Sequence, residues 1–96
     1  MTALPSLKQL QYLVALSEQF NFTRAAESCF VTQSTLSAGL KELEGVLGTQ
    51  LVERDRQTVL MTPIGLEIAQ RARAILAATQ DMVELAAETT HPMTGR

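Results

Sequence analysis

The chain has 96 residues, 46% of them apolar and 19% charged, which fits one globular domain with an appendage and excludes disorder over most of its length. Its formal net charge of -2 excludes binding to nucleic acid by bulk charge alone. It leaves room for a local basic surface, because exposed charges at physiological salt interact over only about 8 Å.

Three absences in the sequence bear on location. No apolar run approaches the roughly 20 residues needed to span a bilayer. Residues 1–6 lack the basic segment and apolar core of a secretory signal. Cys29 is the single cysteine, so no internal disulfide can form and a reducing compartment is expected. We therefore expect a cytoplasmic protein with no membrane partner.

The first predicted helix begins after Ser6, where Gln9 completes a capping-box pattern. Apolar residues then recur at helical spacing, at Leu7, Leu10, Leu13 and Val14. The helix is expected to end near Gln19, ahead of Asn21, a residue type that tolerates turn conformations.

A short helix over residues 24–29 is predicted next, with Thr23 as its N-cap. Phe30 and Val31 are expected to fill the following turn with apolar bulk. Cys29, at the end of the short helix, is expected to be a buried and unreactive thiol.

Thr32 is the predicted cap of a third helix, which runs to about Leu47 and stops at Gly48. A projection at about 100° per residue places one apolar stripe toward the core, at Leu36, Leu40, Leu43 and Leu47. A second arc carries hydrogen-bonding groups and a cation, at Gln33, Ser34, Ser37 and Lys41. Glu44 shares that arc at the far end of the helix.

A hairpin is predicted from two short β-prone runs, 51–52 and 59–61, that flank a polar centre. If the first run is extended, its period of two puts Arg54 and Arg56 on one face and the acidic residues between them on the other. Such a wing would present its arginines to a phosphate backbone although it has no net charge.

Thr62 and Pro63 form a strong helix start, a capping hydroxyl followed by proline at the first helical position. Apolar and small residues then recur at alternating spacings of four and three positions, which is the heptad pattern of a helix that packs on another helix. This predicted seam consists of Ile68, Ala72, Ile75, Thr79, Met82 and Ala86, and it is flanked by Ala69, Leu76 and Val83. About 26 residues at 1.5 Å each give a helix of about 40 Å. Such a length favours packing against a partner helix over packing against the chain's own core.

The sequence offers no catalytic constellation. The one histidine, His91, and the one cysteine are far apart, and no Gly-rich phosphate loop or metal-ligand spacing is found. We therefore predict neither an enzyme nor a cofactor or metal site.

Residues 22–41 read as a helix-turn-helix, whose second helix begins with hydroxyls and an amide. Gln33 can make a bidentate contact to adenine, and Ser34 and Ser37 can make shorter contacts to base edges. Two alternatives stay open on the residues alone. The polar arc could be a solvated helix face, or the chain could be a helical dimerisation module that binds protein and not DNA.

Several segments in order resemble one known family: 22–27, 31–37, Leu43-Glu44 with Leu47-Gly48, 51–54 and 60–65. Together, across about residues 7–65, they resemble the amino-terminal DNA-binding domain of LysR-type transcriptional regulators. Within that family, segments 12–16 and 26–29 are most similar to the peroxide-sensing activator branch.

The resemblance implies a mainly α fold, a winged helix-turn-helix of three helices and a two-stranded wing over residues 5–62. A linker and dimerisation helix over 63–90 would follow, and 91–96 would be a tail or hinge. The resemblance further implies sequence-specific binding to operator DNA as a homodimer or homotetramer. A small-molecule or redox effector would act only through a carboxy-terminal domain outside this chain.

The resemblance also implies residue roles. Gln33, Ser34 and Ser37 would face bases, while Thr23, Thr32, Thr35 and Arg54 would hold the phosphate backbone. The predicted DNA-binding set is completed by Arg24, Lys41 and Arg56.

The chain departs from the family pattern at four positions. Gly39 stands where glutamine is usual, which is expected to remove a groove-facing group. Lys41 replaces a common arginine and cannot make the same bidentate contact. Val52 replaces a common phenylalanine, and Gln57 stands where a second wing arginine is often found.

Overall fold

The computed structural model describes residues 3–55 and 58–90 and contains three helices, a two-stranded antiparallel hairpin and a long fourth helix. The elements are α1 (Leu7–Gln19), α2 (Phe22–Ser28), α3 (Gln33–Leu47), β1 (Val52–Asp55), β2 (Thr58–Met61) and α4 (Pro63–Thr90). The predicted fold class, a winged helix-turn-helix followed by a long helix, is therefore confirmed. None of the helices in these two ranges is both long and apolar enough to cross a membrane.

Helix α1 begins as the sequence predicts. The Ser6 hydroxyl accepts a hydrogen bond from the Gln9 backbone N–H at 3.1 Å, and the Gln9 side chain accepts one from the Ser6 N–H at 3.0 Å. Two of the backbone donors at the helix start are thereby satisfied. Leu13 and Leu16 are fully buried, so this helix forms the centre of the core.

The cap of α2 is Asn21, and the prediction of Thr23 was wrong. The Asn21 side-chain oxygen accepts from the Arg24 N–H at 2.8 Å, in an extended backbone conformation. Asparagine caps a helix at least as well as threonine, so the helix starts two residues earlier than expected. Thr23 consequently lies inside the first turn, where its hydroxyl is not needed as a cap.

The turn between α2 and α3 leaves Phe30 94% exposed, so the prediction that it fills the turn was wrong. Its φ is 60°, and the N–H groups of Phe30 and Val31 return to the carbonyls of Glu27 and Ala26. These bonds define a Schellman helix end, whose left-handed residue is usually glycine. Val31 is half-buried against the core, as is Cys29, which was expected to be buried.

Helix α3 keeps both predicted ends, with Thr32 accepting from the Thr35 N–H at 3.1 Å and Gly48 left-handed at φ 68°. Of the predicted apolar stripe, Leu36, Leu40 and Leu43 are buried. Leu47 is partly exposed, contrary to prediction, because it is the last residue of the helix and lies at the edge of the core.

Gly39 lies against Tyr12 of α1, and the expectation that a groove-facing group is lost there was wrong. A Cβ placed on Gly39 would come 2.6 Å from two carbons of the Tyr12 ring. Position 39 therefore faces α1. The glycine allows the two helices to approach closely, which offsets its low helix propensity.

Glu44 anchors the wing to α3. One of its carboxylate oxygens, Oε2, accepts from the backbone N–H groups of Leu51 at 2.8 Å and Val52 at 3.1 Å. Glu44 lies on the same side of α3 as Ser37 and Lys41, as predicted, but its carboxylate is engaged at the base of the hairpin. In the hairpin, Val52 pairs with Met61 and Arg54 with Val59.

Helix α4 starts against the wing. The Thr62 hydroxyl accepts from the Gly65 N–H at 2.9 Å, as the predicted N-cap should. A side chain at Gly65 would overlap the Leu51 carbonyl oxygen, so only glycine allows this close approach.

The first half of α4 packs on α1. Ala69 and Ala72 are each 1% exposed, and the Arg73 guanidinium donates to the Ser17 hydroxyl at 2.9 Å and lies 3.5 Å from the Glu18 carboxylate. Ala72 is thus unavailable to a partner, contrary to its place in the predicted dimer seam. The other residues of the predicted seam fall into two groups, one half-buried and one exposed.

Ile68 and Leu76 are half-buried against the chain's own core. Further along, Ile75 is 46% and Met82 65% exposed, and Val83 and Ala86 are exposed as well. The first part of the predicted seam therefore packs on the chain's own core, and packing of the second part against a partner helix stays a prediction.

Candidate nucleic-acid interface

The N-terminal turn of α3 presents polar side chains to solvent. Gln33, Ser34 and Thr35 are exposed and Ser37 is half-buried, while Leu36 between them is fully buried. The core thus fixes the rotation of the helix, and this rotation turns the polar arc outward. A helix N-terminus with exposed hydroxyls and amides carries partial positive charge and suits an anionic partner.

The Thr23 hydroxyl of α2 reaches across to this arc. It donates a hydrogen bond to the Gln33 side-chain oxygen at 3.2 Å, between residues ten positions apart. Sequence reasoning placed both residues at the interface but missed the bond, because it assigned the Thr23 hydroxyl to capping.

Two threonines form a closed pair at the start of α3. The Thr32 hydroxyl accepts from the Thr35 N–H and donates its proton to the Thr35 hydroxyl oxygen at 2.9 Å. Thr32 is therefore fully used within the chain as a donor. Thr35 keeps its own hydroxyl proton and is the member of the pair that can donate to a phosphate.

An open groove separates α3 from the wing. It is lined by Ser37, Ala38, Lys41, Glu44, Gln50, Val52 and Arg54. Lys41 and Arg54 are exposed and supply the positive charge at its two sides, whereas the Glu44 carboxylate is engaged by backbone N–H groups. The groove therefore has a cationic rim despite the acidic composition of the chain.

Arg54 lies over an aromatic ring. Its guanidinium carbon is 4.3 Å from the centre of the Phe22 ring at the start of α2. This cation–π contact orients the wing arginine toward the helix-turn-helix. The sequence carried no signal for the pairing, since the two residues belong to elements 32 positions apart.

The structure brings most of the predicted DNA-binding residues onto one continuous surface. The contacts Thr23–Gln33 and Phe22–Arg54 link α2 to α3 and to the wing, and the groove joins Ser37 to Arg54. Arg24 is exposed on α2. Arg56 lies outside the described residues, as do Gln57 and His91.

Among the residues that the structure describes, no group of three or more histidine, cysteine or acidic side chains could hold a metal ion. An exposed polar helix start beside two cations is suited to bind a nucleic acid, whose backbone is anionic and whose base edges carry hydrogen-bonding groups.

Comparison with known proteins identifies the family. The profile of the bacterial regulatory helix-turn-helix proteins of the lysR family matches residues 7–66. Among curated relatives, the HTH-type transcriptional regulator EstR of Acinetobacter baylyi is 58% identical over 95 residues, covering 99% of this chain and 32% of its own length. The transcriptional dual regulator OxyR of Escherichia coli K12 is 40% identical over 90 residues, covering 94% and 30%.

Solved structures of regulators from the same group superpose on this chain. A full-length OxyR variant from Pseudomonas aeruginosa superposes with a TM-score of 0.83 at 43% identity, over 85% of this chain and 28% of that one. The BenM DNA-binding domain in complex with benA site 1 DNA superposes with a TM-score of 0.81 at 34% identity, over 95% and 99%. The long helix is thus shared with this group.

The chain spans about a third of the length of the curated relatives it matches. The predicted similarity to peroxide-responsive activators is confirmed, since several relatives at 40–42% identity are hydrogen peroxide-inducible genes activators. EstR, at 58% identity, is more similar to the chain than these activators and is not named as one of them. The profile match, these relatives and the shared winged fold show that the chain belongs to the LysR family of bacterial regulatory helix-turn-helix proteins.

Proposed function

We propose that this chain is the sequence-specific DNA-binding domain of a bacterial transcriptional regulator, with α3 as the helix that enters the major groove. The observation that carries this proposal is the exposed polar start of α3 beside the cations of the α3–wing groove. It is supported by structural neighbours that are themselves DNA complexes, of the BenM and CbnR DNA-binding domains. No observation favours the alternative of a protein-binding module without DNA.

Base reading is assigned to the polar arc. Gln33 carries an amide that can pair with the N6 and N7 positions of adenine, and Ser34 and Ser37 offer hydroxyls that accept or donate. Because Leu36 and Leu40 hold the helix against the core, these side chains are presented in a fixed register.

Phosphate contacts are assigned to the rim of the same surface. Arg54 from the wing and Lys41 from α3 would clamp the backbone on either side of the groove, and the Thr35 hydroxyl would donate at the helix start. Thr32 would contribute through the helix end that it caps. Arg24 and Arg56 complete the proposed set.

A second copy of the chain is proposed to pack on the outer half of α4. Ile75, Met82 and Val83 form an exposed apolar stripe, and Thr79 and Ala86 continue it. Two recognition helices must lie about 34 Å apart, or a multiple, to reach successive major grooves. Helix α4, at about 42 Å, is long enough to set that distance in a dimer or within a tetramer. Response to a small-molecule or redox effector is assigned to regions outside this chain.

The test is selection of binding sites from a library of randomised duplexes, followed by titration of the selected duplex and of random DNA at two salt concentrations. We expect salt-sensitive binding that prefers the selected sequence, because each neutralised phosphate releases a counterion. Gln33→Ala should cost about 1–3 kcal/mol on the selected duplex and little on random DNA.

Gln70→Ala is the matched control, since Gln70 is exposed on α4 and is not part of the proposed DNA-binding surface. Failure of the wild-type chain to enrich any sequence would reject the proposal. An equal loss on both duplexes for Gln33→Ala would reject base reading by that residue.

A further inference from the structure

A glutamine side chain that reads bases has an orientation problem. Its amide oxygen and nitrogen are nearly equal in size, and rotation by half a turn exchanges an acceptor for a donor. Gln33 is exposed at the first position of α3, so burial does not select between the two orientations. A hydrogen bond to a rigid neighbour would limit the rotation of the amide.

The Thr23–Gln33 contact supplies such a bond. The Thr23 hydroxyl donates to Gln33 Oε1 at 3.2 Å, which holds the amide group at the side of α2. Thr23 is a rigid anchor, because its β-branched side chain is restricted about χ1. It is also available, because Asn21 has taken over the capping of α2.

We infer that Thr23 is a positioning residue for base recognition: it holds the Gln33 amide in one place at the side of α2 and thereby sharpens the specificity of this position. The inference rests on the proposed function. Adenine presents an acceptor and a donor side by side, so it requires an ordered amide with nitrogen and oxygen in a defined sequence. A freely rotating amide could also donate to guanine or accept from cytosine.

This role differs from the phosphate contact implied by family resemblance. A hydroxyl that binds phosphate contributes equally on every DNA sequence. A hydroxyl that orients Gln33 changes only the discrimination at the base pair that Gln33 reads. The two roles are therefore separable by comparing matched and mismatched duplexes.

The experiment uses four variants of this chain: Thr23→Val, Thr23→Ser, Gln33→Ala and the double variant Thr23→Val with Gln33→Ala. The probes are the duplex selected by the wild-type chain, the three duplexes substituted at the base pair most affected by Gln33→Ala, and a random duplex. Valine keeps the shape and branching of threonine and removes only the hydroxyl. Because Thr23 is exposed, thermal melting should be nearly unchanged.

We expect Thr23→Val to lower discrimination at that one base pair about 3- to 10-fold, the range for one lost hydrogen bond. Affinity for random DNA should stay the same, Thr23→Ser should restore discrimination, and Thr23→Val should add nothing in the Gln33→Ala background. An equal loss on all duplexes, or the same loss without Gln33, would overturn the inference and leave the proposed function intact. Absence of any preference in the wild-type chain would overturn both.

Discussion

The guanidinium of Arg54 lies 4.3 Å from the centre of the Phe22 ring, so the wing and the first helix of the helix-turn-helix meet at one point. Arg54 projects from a two-stranded hairpin, an element that is barely stable alone. The hairpin is held at its base by the Glu44 carboxylate and near its centre by this ring. These two contacts fix where the wing's positive charge lies relative to α3.

Replacement of Phe22 by leucine should weaken DNA binding through Arg54. A cation–π contact at an exposed site contributes about 0.5–1 kcal/mol, so affinity for selected and random duplexes should fall by similar small factors. Titration by fluorescence anisotropy measures both. In an Arg54→Ala background the same replacement should have no further effect, and an undiminished effect there would show that Phe22 acts only through the core.

Replacement of Gly39 by alanine should destabilise the fold. The new Cβ would come 2.6 Å from the Tyr12 ring, and overpacking of this kind costs about 1–3 kcal/mol. Chemical denaturation measures the change in the free energy of unfolding. Gly45→Ala is the control in the same helix, where nothing lies within 4 Å and alanine should stabilise by up to about 1 kcal/mol. Equal effects at the two positions would contradict the Tyr12 contact.

Replacement of Phe30 by glycine should stabilise the fold. Phe30 is left-handed at φ 60°, a conformation that costs a residue with a side chain about 1–2 kcal/mol. Its exposed ring loses almost no burial on removal. We expect a gain of about 1 kcal/mol in the free energy of unfolding, offset in part by the greater backbone freedom of glycine. Gly48→Ala, at φ 68°, should change stability in the opposite direction, and a loss of stability for both variants would refute the explanation.

Replacement of Met82 by glutamate should dissociate the proposed dimer. A charge in the exposed apolar stripe of α4 would be desolvated against a partner helix, at a cost of several kcal/mol. Sedimentation velocity measures the shift from dimer to monomer. Ala77→Glu is the matched control, because Ala77 is exposed on the opposite side of the same helix. If Met82→Glu sediments as the wild type does, the stripe is not the interface.

Local signals in the sequence were sufficient for most helix ends and for the family. The caps Ser6, Thr32 and Thr62 and the stop at Gly48 are all confirmed, because each depends on hydrogen bonds within four residues. The one wrong cap, Thr23 in place of Asn21, arose where two good capping residues lie close together. Such a choice depends on where the preceding helix ends, at the left-handed Phe20.

Contacts between elements were decided by the tertiary structure alone. The partners of Gly39, Glu44, Arg54 and Thr23 lie 27, 7 to 8, 32 and 10 positions away along the chain, and no periodicity relates them. The same holds for α4, whose heptad pattern runs unbroken although its first half is covered by α1 and its second half is exposed. The sequence by itself determined which residues are polar, apolar or capping; the packing of α1 against α3 and α4 determined which of them remain available to a partner, because burial depends on what lies opposite.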